Sequence, residues 1–251
     1  MKNILAKNAR LLFSSLLILA LHLPFVFAGT RPYVGSTMSG KAVHEAVNND
    51  ITLSNMNAVY GSLHMENPGL SEDAFRYAIK GYDYLKSRGQ VGNERIITIA
   101  DFTKSSTEKR LYVIDLEHRK VLFNTYVAHG MGSGREFADR LSNIPESLQS
   151  SPGFYITAGT YTGKNGFSLH LNGMEKGIND KADERVIVMH GAPYVSESFI
   201  RAQGFLGRSW GCPAVPEQMN KPIIEKIKNG SCLFIYCKNN HYLQQSKILN
   251  S

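Results

Sequence analysis

Two side chains of this chain have the types and setting to act as a nucleophile and its base. His190 is followed by Gly191, and 22 residues further on Cys212 stands in Ser209-Trp210-Gly211-Cys212-Pro213. A thiol attacks a carbonyl only as its thiolate, and its free pKa of about 8.5 leaves little of it ionised at neutral pH. An imidazole that takes the proton is the usual means of activation, so the tract reads as a cysteine acyl-transfer site. His190 closes an apolar run, where a lone histidine is commonly a satisfied core residue; the Gly-Cys partner favours the catalytic reading. Gly211 lets backbone approach a substrate with no side chain between. Ser209 lacks the strand-to-helix elbow with flanking glycines that a serine nucleophile needs, so it is read as hydrogen-bonding support.

Around this pair stand residues with two readings each. Trp210, the single tryptophan, either packs on substrate or covers the cleft floor. Arg208 either binds a substrate carboxylate through its fork or makes a surface ion pair. His129, in Ala128-His129-Gly130-Met131-Gly132-Ser133-Gly134, either lines the cleft or fixes a turn at the start of a long Gly- and Ser-rich connection to Pro152. A connection of that length inside a domain is often functional. The glycines of 130–134 do not make a phosphate loop, because no Lys-Ser/Thr pair and no helix follows.

The remaining cysteines leave Cys212 as the reactive one. Cys232 and Cys237 bound a strand-like run, Cys232-Leu233-Phe234-Ile235-Tyr236-Cys237. Their odd separation is expected to put them on opposite faces, which disfavours a bridge. Zinc ligands come at tighter spacing with a second pair, so both are read as small core residues. With no metal cluster, nucleotide loop or repeat visible, no metal and no cofactor are expected.

The N-terminus says where the site works. Lys2, Lys7 and Arg10 precede an apolar run from Leu11 to Leu21, and Val26-Phe27-Ala28-Gly29 offers small residues for cleavage. This is the pattern of a secretory signal over 1–28, with an uncleaved anchor as the alternative. Its removal takes three of 28 basic residues and no acidic one, lowering the formal charge from +7 to +4. A mild positive charge without basic blocks or interleaved aromatics excludes a nucleic-acid footprint and suits an anionic envelope polymer. Membrane contact is expected only through the leader during export.

About 220 mature residues suffice for one domain with a small preface. In 29–92, Ser71-Glu72-Asp73 opens a helix whose Phe75, Ala78, Ile79, Tyr82 and Leu85 recur at helical spacing until Arg88-Gly89. That stripe is read as a packing face, not a cofactor box. From 93 to 238 the texture is strands: Ile96–Ala100, Leu111–Ile114 and Val121–Val127 as an antiparallel meander, Gly153–Ala158 and Phe167–Leu171 as a hairpin, then Val186–His190 and Cys232–Cys237. Between the last two, Ile223, Ile224 and Ile227 share one helical face closed by Asn229-Gly230, with Pro216 or Pro222 near the helix start. Residues 239–251 are read as a C-terminal tail.

His190-Gly191, a spacer and Ser209-x-Gly211-Cys212 on a β-rich chain with a short helix after the cysteine resemble the murein L,D-transpeptidase catalytic domain family, the YkuD-like cysteine transpeptidases of bacterial peptidoglycan. The run Gly207-Arg208-Ser209-Trp210-Gly211-Cys212-Pro213-Ala214-Val215 resembles one branch of it, and Ser151-Pro152-Gly153-Phe154-Tyr155-Ile156 is similar to the family's Pro-x-Gly strand opening. The resemblance covers about Ile96 to Tyr236. Better-studied members place a histidine directly before Gly-Cys, where this chain has Trp210, and differ from Pro213-Ala214-Val215 after the cysteine.

The resemblance implies a mostly β (α+β) fold, an L,D-transpeptidase-like β-sandwich with a short helix after the cysteine and a helical preface. It implies stem peptides of peptidoglycan as the partner, His190 as base, a Cys212 thioester, and resolution by an amine or by water, the latter an L,D-carboxypeptidase reaction. The Gly191 carbonyl would orient the imidazole, N–H groups around Gly211 and Cys212 would hold the oxyanion, and Tyr155 would join Ser209, Trp210, Arg208 and His129 in binding substrate. The periplasm or cell envelope of a bacterium is the implied location. A secreted cysteine peptidase is the first rival, although papain-like chains place the cysteine before the histidine; a noncatalytic envelope-binding module is the second.

Overall fold

The computed structural model describes residues 55–66 and 69–251, so the leader-like segment 1–28 lies outside the described residues. Eight strands form: β1 (Ile96–Asp101), β2 (Leu111–Asp115), β3 (Lys120–Thr125), β4 (Gly153–Gly163), β5 (Gly166–Gly173), β6 (Val188–Gly191), β7 (Ala214–Val215) and β8 (Cys232–Tyr236). They make one sheet in the order β3-β2-β1-β8-β4-β5-β6-β7. β1, β2 and β3 are the antiparallel meander, and β4 and β5 are the hairpin. β8 inserts between them, parallel to β1 and antiparallel to β4. Just past β3, Ala128 bridges to Ala214 on β7, the opposite edge of the sheet. The sheet therefore curls until its edges nearly meet, and the two layers of the expected sandwich are strips of a single ladder.

Strict alternation sorts the strand residues into two apolar layers. Ile97, Ile99, Tyr112, Ile114, Phe154, Phe234 and Tyr236 face one layer, and Ile96, Leu111, Val113, Tyr155, Leu233 and Ile235 face the other. Strands buried on both faces read as continuous apolar runs, which is why β1, β2 and β8 were legible without a polar face. The inner layer also collects Leu169, Met189 and Val215 from the far side of the curl.

Helices pack against both layers. α1 (Met56–Glu66) and α2 (Glu72–Ser87) supply Val59, Leu63, Phe75, Ala78, Ile79, Tyr82 and Leu85 to the first layer. Ser71 caps α2 by accepting from the Ala74 N–H at 3.3 Å. A short α3 (Glu197–Gln203) follows β6, capped by Ser196 and ended by Gly204 in the left-handed region. α4 (Glu217–Ile227) follows Cys212 closely and buries Ile223, Ile224 and Ile227 in the second layer. Pro216 is its N-cap, whereas Pro222 sits inside it.

Two expectations are corrected. Cys232 and Cys237 lie in the same apolar layer, because β8 ends at Tyr236 and alternation stops there; both are free, buried thiols. Residues 239–251 are no loose tail: α5 (Asn240–Gln245) and the residues after it place Tyr242, Ile248 and Leu249 in the core. Tyr242 and Ser246 donate to the buried carboxylate of Glu175, which also accepts from the Phe154 N–H.

Candidate active site

The parallel pairing of β6 with β7 sets His190 opposite Ala214 and Gly191 opposite Val215. Cys212 precedes Ala214 by two residues and lies just outside β7. The Val188 backbone N–H faces the Cys212 sulfur. The pairing thus puts the two groups on neighbouring segments, His190 as the third residue of β6 and Cys212 just before the start of β7.

His190 is buried, at 5% exposure, and its Nδ1 lies 2.9 Å from the carbonyl oxygen of Gly191. A carbonyl only accepts, so Nδ1 carries the proton and Nε2 keeps its lone pair. Among the described residues Nε2 has no hydrogen-bond partner. The first turn of α4 packs behind this unit: a Cβ at Gly191 would lie 3.0 Å from the Asn220 Cβ and 3.2 Å from the Glu217 Cα.

The segment bearing Cys212 is held from both sides. Ser209 Oγ donates to the Cys212 carbonyl at 2.6 Å and accepts the Gly211 N–H at 3.1 Å. Ser150 Oγ donates to the Gly211 carbonyl at 3.1 Å and accepts the Gly130 N–H at 3.0 Å. Backbone bonds from Ser209 N to His129 O and from Met131 N to Ser209 O complete the seam. The long connection 130–152 is therefore bonded scaffold around residues 209–211. Gly211 has φ of +125°, and a Cβ there would fall 2.8 Å from the Gln149 carbonyl oxygen, so both conformation and space demand glycine.

The half-buried Cys212 sulfur lies 3.6 Å from the Val186 carbonyl oxygen, to which its S–H donates. The thiol proton is thus directed at Val186 in this arrangement, with no hydrogen bond between Cys212 and His190. Burial pushes the thiol above its ordinary range, and the Val188 N–H, the Arg185 guanidinium and the Cys212 N–H itself work in the other direction. Val186 has φ of +52°, a costly conformation for a β-branched residue, and is 63% exposed. The turn from Ala182 to Ile187 imposes it, and so β6 starts at Val188 instead of Val186.

The residues nominated from sequence divide by placement. His190, Gly191, Ser209, Gly211 and Cys212 come together as described. Trp210 stands beside them, 71% exposed. Arg208 Nη1 donates to the Gly134 carbonyl at 3.1 Å and its guanidinium lies over the Phe205 ring. His129 is a correction: it is buried, Nδ1 accepts from Arg110 Nη2 at 2.8 Å, and Nε2 reaches the Gly134 carbonyl at 3.3 Å. Burial and the Arg110 charge push it down to about 3, so it is a neutral structural residue. Tyr155 is also a correction, since alternation along β4 points it into the inner layer, where its hydroxyl donates to the Ser151 carbonyl at 3.0 Å. The Gly211 N–H, expected to face an oxyanion, is taken by Ser209.

Arg185, Val186, Ser150 and Tyr194 border the site without having been singled out. Burial, then the Cys212 charge, pushes the Tyr194 hydroxyl up to about 12. Only Ser150 had a usable cue, its place two residues before the Pro152-Gly153 opening of β4. Met131, Phe137, Ile144, Val186 and Trp210 are the large apolar side chains exposed among the described residues, and all lie on segments flanking the site. Elsewhere, ligand atoms of Asp115, Glu117 and His118 lie within 4.8 Å of one another. Arg95 pairs with both carboxylates there, so the group is an ion-pair cluster at the β2–β3 turn.

The profile of the L,D-transpeptidase catalytic domain matches residues 66–236 of this chain. No curated protein sequence gives a match. Among solved structures, an L,D-transpeptidase from Mycobacterium smegmatis is similar at 11% identity and TM-score 0.35, over 57% of this chain and 59% of that one. An L,D-transpeptidase from Stackebrandtia nassauensis is similar at 13% identity and TM-score 0.35, over 74% and 77%. The helical cell shape determining protein Pgp2 from Campylobacter jejuni is similar at 15% identity and TM-score 0.39, over 63% and 56%. The chain thus spans less than two thirds of the Mycobacterium and Campylobacter proteins. With the matched region covering more than half of its length and holding both His190 and Cys212, the chain belongs to the L,D-transpeptidase catalytic domain family.

Proposed function

We propose that the protein is an exported cysteine acyl-transferase that acts on peptidoglycan stem peptides through a Cys212 thioester. His190 Nε2 takes the thiol proton, and the sulfur adds to the carbonyl carbon of an L,D peptide bond in a stem tetrapeptide. The C–N bond to the terminal D-alanine breaks, and the imidazolium returns its proton to the leaving amine. An amine of a neighbouring stem then attacks the thioester and frees Cys212, forming a cross-link; water in its place yields a trimmed peptide.

The observation that supports this reading is the Nδ1–H bond to Gly191, which leaves Nε2 without a partner on the strand that pairs with the segment just after Cys212. Because burial keeps the thiol protonated, a base is needed, and His190 supplies it. The Cys212 N–H, beside the sulfur, serves as an oxyanion donor, a type of contact worth about 10²–10³ in rate. Trp210 packs the stem, and the leader with Lys2, Lys7 and Arg10 directs the chain to the periplasm or cell envelope.

The test is incubation of the purified protein with muropeptides carrying tetrapeptide stems, followed by separation and mass analysis. Loss of D-alanine with either a new cross-link or a trimmed stem is expected. Unchanged muropeptides together with cleavage of an unrelated protein substrate would favour the cysteine peptidase.

A further inference from the structure

Arg185 is half-buried in the turn before β6. Its Nη1 donates to the Ser142 carbonyl and to Ser151 Oγ at 2.8 and 2.5 Å, and its Nη2 donates to the Gln149 carbonyl at 2.5 Å. These acceptors are neutral. Among the described residues no carboxylate lies within ion-pair distance of it; the neighbouring Glu184 is paired with Lys181. A cation removed from water normally finds an anion, because desolvation is otherwise uncompensated. Nη2 lies 3.3 Å from where a Cβ on Gly211 would sit, directly beside Cys212.

We infer that Arg185 is a positioning residue whose counter-ion is the Cys212 thiolate, its fork fixed on loop carbonyls so that the charge stands ready when the thiol ionises. This rests on the acyl-transfer reading for its purpose but not for its test. The groups that act on Cys212 are Arg185 and the Val186 carbonyl from the turn, the Val188 N–H from β6 and Tyr194 after it, with His190 two residues beyond Val188 on the same strand. His190 removes the proton and Tyr194 is neutral at physiological pH, which leaves Arg185 as the permanent positive charge. The sign of the effect separates this role from a clamp. Without the charge the thiolate is less favoured and Cys212 titrates higher; a mere loosening of the loop would admit water, relieve the burial that raises the thiol, and lower its titration.

The experiment is the pH profile of Cys212 alkylation by iodoacetamide, read by intact mass, with Cys212→Ser showing that the label belongs to that residue. Arg185→Gln is expected to raise the profile's midpoint by about one pH unit and to slow labelling at pH 7 about tenfold. Arg185→Lys, which keeps the charge and loses the fork, is expected to stay within about half a unit of the parent. Should Arg185→Gln fail to fold, the lysine variant still decides: a midpoint raised by a full unit overturns the assignment. An unchanged or lowered midpoint in Arg185→Gln overturns it too, as does a normal profile with only KM for a stem peptide raised, which makes Arg185 a substrate clamp. A protein that leaves muropeptides untouched yet shows these alkylation shifts refutes the proposed function and retains the Arg185 assignment.

Discussion

At the residue scale the chemistry depends on a thiol that burial disfavours from ionising and an imidazole whose tautomer is set by its own neighbour's carbonyl. Gly211, next to the thiol, has no room for a side chain. Gly211→Ala forces an alanine to φ of +125° with its Cβ 2.8 Å from the Gln149 oxygen. A cost of about 1–3 kcal/mol in urea unfolding is expected, with turnover lost beyond what stability explains, because Cys212 moves with the strained backbone. The His-Gly and Ser-x-Gly-Cys pattern was readable because each glycine and serine answers a local need. The cleft reading of His129 and the substrate role of Tyr155 fail for the opposite reason: their residue types suit a cleft, and only the direction of β4 and the position of Arg110 send them inward. Arg185 left no mark in the sequence, since a lone arginine before a strand looks like any exposed charge.

At the scale of elements, the site is a product of pairing between segments far apart in the chain. β7 has two residues, too few to announce itself by alternation, yet its pairing with β6 sets the His190 to Cys212 register. The connection 130–152 supplies the seam through Ser150, whose hydroxyl joins Gly130 to Gly211. Ser150→Ala leaves a buried N–H and a buried carbonyl without that partner, so a loss of about 1–3 kcal/mol by thermal or urea unfolding is expected. A drop in acylation rate should accompany it, and full activity with parental stability would show that the seam does not hold the nucleophile. α2, β1, β2, β8 and the face of α4 were legible because their apolar periodicity was unbroken. α1 was not, since Val59, Tyr60 and Gly61 interrupt it with poor helix formers. α3 carried readable caps at Ser196 and Gly204 but buries nothing, so no apolar stripe advertised it.

At the scale of the whole molecule, the curled sheet closes over buried polar groups that tie its stability to pH. His129 is held down to about 3, first by burial and then by Arg110, against an ordinary value near 6.5. Between these values the unfolded chain takes up a proton that the folded one refuses, so this contribution to stability is complete above about 6.5 and is lost as pH falls toward 3. The expected slope is about 1.4 kcal/mol per pH unit, and it should be absent in His129→Gln when urea unfolding is compared at pH 7 and pH 5. Equal slopes in parent and variant would mean that His129 is protonated in the folded state. The curl itself could not be read from sequence, because the Ala128 to Ala214 bridge joins residues 86 positions apart with no shared pattern. The central claim, a thioester on Cys212, is tested most directly by intact mass spectrometry of the protein mixed with a stem tetrapeptide donor and quenched in acid. An adduct of the donor less D-alanine is expected, present in the parent, absent in Cys212→Ala and formed about 10²–10⁴ times more slowly in His190→Gln. Donor turnover with no adduct on Cys212, or turnover that survives in Cys212→Ala, would contradict it.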